Sequence, residues 1–190
     1  MKDKWTAREI ELAVTDWLLE RGHTSVITHF YPDHWHECDV YGITAAGYGI
    51  EVEVKISVAD FRADFKKEMK HEVLHEAFSP ADRAEWHSMF SRLPPIIEPS
   101  SFKGCPRRYY FAVPESLINV REVPSYAGLL CVRWYGPPEH GNSWYRVTVA
   151  KPAPALLAAK KVTPHQLRKL SVAYKFHYYT LLRKLVEVQR

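Results

Sequence analysis

The chain predicts an α/β sandwich, with a mixed central β-sheet flanked by helices and a basic helix at its C-terminal end. Three observations carry this expectation. Helical and two-residue periodicities follow one another in the order helix, strand, strand pair, helix, strand, strand pair, helix. The composition is 46% apolar and 13% aromatic, which is enough for a packed core and excludes wholesale disorder. Residues 50–56 alternate strictly between apolar and charged side chains, the signature of a strand with two unlike faces.

The elements follow in order. Ile10, Val14, Trp17 and Leu18 recur at helical spacing over residues 6–20. Thr6 caps this helix, Glu9 completes a capping box and Gly22 ends it. Residues 25–31 are β-branched and aromatic and read as a strand. Residues 38–44 and 48–56 form a hairpin around Ala45-Ala46-Gly47. A single helix is expected over 58–78, with Phe61, Phe65, Met69 and Val73 as its apolar stripe and a stop at Ser79-Pro80. The proline-rich insertion at about 80–107 reads as a short helix over 81–92 and then a loop. A compact strand over 109–113 ends at Pro114, and 129–135 and 143–149 form a strand pair across Gly136-Pro137-Pro138. Pro152 and Pro154 mark a joint before a basic, tyrosine-rich helix over 164–188. The domain organisation expected is a body over 1–150 and a helical extension over 151–190.

Charge is unevenly placed. Residues 1–150 hold 17 Lys+Arg against 21 Asp+Glu, whereas 151–190 hold 9 against 1. A basic segment beside an acidic body points to a polyanion partner. Three separated cysteines, Cys38, Cys105 and Cys131, form no CxxC pair and suit a reducing cytoplasm. The start MKDKWTAREI is charged, and no stretch reaches the roughly 20 apolar residues of a membrane span.

The chemistry concentrates in the hairpin. Ile50, Val52, Val54 and Ile56 share one face of their strand, and Glu51, Glu53 and Lys55 share the other. If Thr44 pairs with Tyr48, Asp39 falls opposite Glu53, within the roughly 4.5–5.5 Å of a cross-strand pair. Two carboxylates that close repel unless a cation joins them or one takes a proton. A hard ion such as Mg²⁺ prefers such oxygen ligands. Lys55 lies one pleat away. A solvent-facing strand with scattered charges would show the same alternation, and a one-residue slip would turn Asp39 to the other face.

Asp39, a turn and then Glu53-Val54-Lys55 resemble the Asp…(Asp/Glu)-x-Lys signature of the PD-(D/E)XK nuclease superfamily, over about residues 5–113. Lys55-Ile56-Ser57 with Asp60-Phe61 and Asp64-Phe65-Lys66, then Tyr110-Phe111-Ala112-Val113-Pro114, Val123-Pro124 and Gly128-Leu129, resemble its MmcB-like DNA-repair branch and related phage and bacterial proteins. Cys38 stands where the family often has proline. The resemblance implies a restriction-endonuclease-like fold and Mg²⁺-dependent hydrolysis of DNA phosphodiester bonds, in repair, recombination or phage DNA metabolism. Mn²⁺ would serve as a substitute. Asp39, Glu53 and the backbone carbonyl of Val54 would hold the metal, and Glu11 would hold it directly or through water, with Glu9 in reserve. Lys55 would orient the attacking water and stabilise charge on the phosphate. Many nucleases of this type are homodimers, although no interface is evident in the sequence.

Basic side chains are candidates for DNA contact: Lys66, Lys67 and Lys70 after the motif, Arg107 and Arg108 before the next strand, and Lys160, Lys161, Arg168, Lys169 and Lys175 in the C-terminal segment, where tyrosines are interleaved with them. Two rival readings remain. One is a non-catalytic DNA-binding module of the same fold. The other is a zinc protease, since His71-Glu72-Val73-Leu74-His75 is an HExxH sequence with His87 or Glu98 as third ligand. His34 and His36 lack zinc-site spacing and are expected to line the mouth of the site. No P-loop, dinucleotide fingerprint or GxSxG is present.

Overall fold

A computed structural model describes residues 5–78, 104–135 and 145–188. The expected helix over 81–92, the Gly136-Pro137-Pro138 turn, His87 and Glu98 lie outside the described residues. The element order is α1 (Ala7–Glu20), β1 (Ser25–Phe30), β2 (Cys38–Ile43), β3 (Gly49–Val54), α2 (Val58–Asp64), α3 (Glu68–Phe78), β4 (Arg108–Pro114), β5 (Ala127–Trp134), β6 (Tyr145–Lys151) and α4 (Pro164–Val188). Among the described residues six strands form one sheet in sequence order; the β3–β4 and β4–β5 pairs are parallel and the others antiparallel. The chain is thus an α/β sandwich with a mixed sheet between helices.

The layers follow from side-chain alternation. Ile50, Val52 and Val54 of β3 join Tyr110 and Ala112 of β4 against Ile10, Val14, Trp17 and Leu18 of α1. Tyr109, Phe111 and Val113 project the other way, onto Phe61 of α2 and Val73, Leu74 and Ala77 of α3. Each fully buried aliphatic or aromatic side chain contributes roughly 1.5–3 kcal/mol. At the start of α1 the Thr6 N–H donates to Glu9 Oε2 at 2.9 Å, one half of the predicted capping box. Gly22 ends the helix at φ 74°, in the left-handed region that glycine tolerates.

Two expectations need correction. The helix over 58–78 is two helices, α2 and α3, broken at Phe65-Lys66-Lys67. The break resets the helical phase, so Met69 of the predicted stripe is 72% exposed while Lys70 and His71 turn inward. In addition, the first twenty residues of the C-terminal segment are woven into the body. Ala153, Leu156, Ala159 and Leu170 are core residues, and Lys161 bridges to Tyr48 at the hairpin turn.

Candidate functional site

The hairpin register is the predicted one. Ile43 pairs with Gly49 and Val40 with Val52, and the Thr44 N–H donates to the Tyr48 carbonyl at 2.9 Å. Beyond Val40 the ladder opens. Cys38 joins Tyr41 and Ile43 in the core rather than following Val40 toward α1, so strict alternation ends there. Asp39, in this opening, turns its Oδ2 to accept the Val54 N–H at 2.7 Å. Within a strand the N–H and C=O of one residue point the same way, so the Val54 carbonyl also faces Asp39. The Lys55 N–H points oppositely, to the Ala112 carbonyl at 3.0 Å.

The charged face of β3 is buried rather than solvated. Glu51, Glu53 and Lys55 lie beneath α2 and α3 at 0%, 1% and 5% exposure, which the sheet tolerates only because ammonium groups meet every carboxylate. Ser57 accepts the Asp60 N–H at 3.0 Å, starting α2 so that Asp64 at its end points back at Lys55. Lys55 Nζ lies 3.1 Å from Glu53 and 2.9 Å from Asp64. Lys67 lies 2.9 Å from Asp64 and 3.6 Å from Glu53. Lys70, on the first turn of α3, inserts its ammonium between Glu53 and Glu51, 2.6 Å from Glu51 Oε1. That contact is an ion pair without hydrogen-bond alignment, and the Trp35 indole N–H serves the other Glu51 oxygen at 2.5 Å.

These neighbours set the protonation states. Burial would raise the pKa of Glu53, but the Lys70 and Lys55 ammonium groups together outweigh it and hold the carboxyl below its ordinary value. Asp64 is likewise driven down against its burial, chiefly by His71 and Lys55. Lys55 and Lys70 are raised despite burial by the carboxylates around them, so both remain cations. Glu51 is pushed up to about 7 by complete burial. Asp39 behaves differently: burial, then the Glu53 charge, lifts it to about 6, with Glu11 adding to the rise and the Val54 N–H and Lys55 opposing it. Glu51, Glu53 and Asp64 are matched by Lys55, Lys67 and Lys70, whereas among the described residues no ammonium pairs with Asp39.

The structure therefore brings Asp39, Glu53, Val54 and Lys55 together, with Glu11 close enough to act on Asp39. Glu11 is 7% exposed, and its Oε2 lies 3.3 Å from His29 Nε2. As a cation site the donors suit a hard metal: the outer Asp39 oxygen, the Val54 carbonyl and one Glu53 oxygen, which a lysine would have to release. Among the described residues, no three His, Cys, Asp or Glu side chains converge as a ready-made cage.

Several candidates are placed elsewhere. Lys70 is fully buried in an ion pair and cannot reach a surface-bound nucleic acid. Arg107 and Arg108 sit where β4 begins beside Gly49 and Ile50, at the hairpin end of β3, and bind the Leu156 and Ala153 carbonyls. That end is roughly 17 Å from Lys55 at about 3.3 Å per strand residue. Lys160 and Lys161 share it, while Lys169 pairs with Asp33 at 3.3 Å. Lys66, Arg168 and Lys175 are exposed, and Lys67 stays half-exposed beside the site. His71 gives both ring nitrogens to protein groups, Tyr126 at 2.7 Å and Asp64 at 3.1 Å, so the HExxH sequence does not present a zinc-binding pair. His36 stands at the mouth, its basicity lowered by burial and by Lys70 and Lys67, whereas His34 is an exposed loop residue at φ 56°.

Sequence reasoning missed Asp64, Glu51 and His29. Asp64 carried a signal, seven residues past the cap at Ser57, where an inward acid can hold the motif lysine. His29 carried none. It lies across from Asp39 between the Thr28–Val40 and Phe30–Cys38 pairs, at φ 51°, a relation fixed by strand pairing rather than by a turn.

No protein-family model matches the chain, and a search of curated proteins finds no relative. Among solved structures, the SPO1766 protein of unknown function from Silicibacter pomeroyi is similar with a TM-score of 0.54 at 20% identity, over 99% of this chain and 96% of that one. The likeness is one of fold, and it extends across the whole sandwich together with its C-terminal segment.

Proposed function

We propose that this chain is a metal-dependent nuclease of the PD-(D/E)XK type that hydrolyses DNA phosphodiester bonds, in repair, recombination or phage DNA metabolism. The observation that carries the reading is Asp39. A carboxylate that feels the Glu53 and Glu11 charges, lifted to about 6 by burial and those neighbours, with no ammonium paired to it among the described residues, is a group that a divalent cation would relieve. Asp39, Glu53 and the Val54 carbonyl would hold Mg²⁺ or Mn²⁺, with Glu11 beside them. Such a cation supplies an acidified water and neutralises phosphate oxygens. Lys55 stays protonated, so its part is to hold positive charge toward the phosphate rather than to take a proton. Asp64 fixes the direction of that ammonium at 2.9 Å. Lys67 and Lys66 offer further charge along the same rim.

Plasmid and branched DNA should be cut with Mg²⁺ and spared with EDTA. Asp39→Ala should reduce cleavage at least 10²–10³-fold, the loss usual for a key electrostatic group, while DNA binding measured by anisotropy persists. Cleavage that survives Asp39→Ala would sink the assignment.

A second reading, a non-catalytic DNA-binding module of this fold, is favoured by one observation. Both Glu53 oxygens already meet ammonium groups, Lys70 on Oε1 and Lys55 on Oε2. Tight DNA binding with no cutting in Mg²⁺ or Mn²⁺ would establish that reading instead.

A further inference from the structure

Helix α4 is 25 residues long, and contacts near its start fix which side it turns to the body. Leu170 is buried, and the Tyr174 hydroxyl donates to the Val26 carbonyl at 2.6 Å. An α-helix turns by about 100° per residue. Counted from Leu170, Arg168, Lys175, Phe176, Tyr179 and Arg183 fall roughly 140–240° around the axis, on the side turned away from the sheet. Phe176 and Tyr179 are 69% and 64% exposed there. A face that served only solvation would carry polar side chains in their place.

The cations of this face are available to a partner. His165 and Lys169 meet Asp33 at 2.5 and 3.3 Å, whereas among the described residues no acid pairs with Arg168, Lys175 or Arg183. These three stand roughly 10 and 12 Å apart along the axis, and the two aromatic rings lie between Lys175 and Arg183. A line of cations attracts a phosphate backbone, and aromatic faces hold bases by stacking. Stacking needs bases whose own faces are free. A duplex keeps its bases stacked on one another and would set charged phosphates against Phe176 and Tyr179. The face also leads toward the candidate site, because Asp33 belongs to the β1–β2 loop that carries His36 at the mouth.

We propose that the outward face of α4 binds single-stranded DNA, with phosphates against Arg168, Lys175 and Arg183 and bases stacked on Phe176 and Tyr179. Taken with the nuclease reading, on which this step rests, the substrate is DNA with an unpaired tract leading away from the bond that is cut. The binding itself does not require cleavage.

Fluorescence anisotropy of the full-length protein in EDTA tests it, with labelled oligo(dT) and a duplex of equal length at one ionic strength. Oligo(dT) should bind more tightly than the duplex. Phe176→Ala and Tyr179→Ala should each weaken oligo(dT) binding about fivefold or more and leave duplex binding as it was. Tyr179→Trp should keep it, since a flat ring remains. Circular dichroism should not change, because both side chains are solvent-exposed. Equal or tighter binding of the duplex overturns the proposal, and so does oligo(dT) binding indifferent to both alanine variants. Flotation with anionic vesicles that Tyr179→Ala abolishes, in a protein that does not hold oligo(dT), would give the face to a bilayer and overturn it too. A protein that prefers oligo(dT) in this way yet cuts nothing in Mg²⁺ upholds the binding face and fails the nuclease reading alone. One that cuts DNA but shows no such preference fails this proposal alone.

Discussion

Asp39 stores a pH dependence. In the unfolded chain its carboxyl ionises near 3.8, but in the fold burial and Glu53 delay this to about 6. Below the first value both states hold the proton and there is no effect. Between the two, the unfolded chain releases a proton that the fold keeps, so stability falls as pH rises. Above about 6 the penalty is constant. Asp39→Asn keeps an oxygen for the Val54 N–H and removes the charge. In metal-free protein it should raise stability at pH 8 by up to about 3 kcal/mol, and leave it nearly unchanged at pH 3.5. Urea titrations at the two pH values check this. An equal change at both would remove Glu53 and Glu11 as the cause.

Lys70 carries the opposite sign. Its ammonium is the cation between Glu51 and Glu53, and Lys70→Met leaves those carboxylates facing each other without water. The loss expected at neutral pH is roughly 3–5 kcal/mol, as for breaking one side of a buried ion pair. It should ease as pH falls, because Glu51, already raised by burial, loses the cation that holds it down and takes a proton more readily. DNA affinity of the molecules that remain folded should be unchanged, which separates this internal role from surface binding.

At the scale of the element, β3 and the α2–α3 pair act together. β3 alternates apolar and charged side chains like a half-exposed strand, yet parallel pairing with β4 places it centrally, where both faces are covered. The break between α2 and α3 makes this workable, because it turns Lys70 and His71 inward onto the acids. Helix α4 works on its other side. Arg168 and Lys175 are seven residues apart, on a common exposed face away from the buried Leu170. Changing both to Glu should weaken DNA binding without sequence preference. The slope of log K against log salt should fall by about one for each phosphate that is no longer neutralised. Fluorescence anisotropy across a salt series checks it, and an unchanged slope would show that DNA does not lie along this helix.

For the whole molecule, the order of elements, the sandwich class and the hairpin register were legible in the chain. Local rules suffice there: Ala45-Ala46-Gly47 sets the turn, the turn sets the pairing, and the pairing brings Asp39 to the end of β3. Glu53 and Lys55 could be placed on one face because a strand of period two leaves no choice of face. The burial of Glu51, the inward turn of Lys70, the use of Arg107 and Arg108 as staples and the approach of His29 to Glu11 were not legible. Each depends on which strand lies beside which, or on the helical phase after a break, and contacts between distant residues leave no local periodicity.

Sequence by itself determined the periodic elements and the charge types available to the site, since backbone geometry ties side-chain direction to residue spacing. Tertiary structure alone decided which charges are neutralised internally and which one is left over. The same Asp, Glu and Lys side chains would behave ordinarily in water, and it is the exclusion of water between sheet and helices that makes their pairing, and the odd carboxylate at residue 39, chemically consequential.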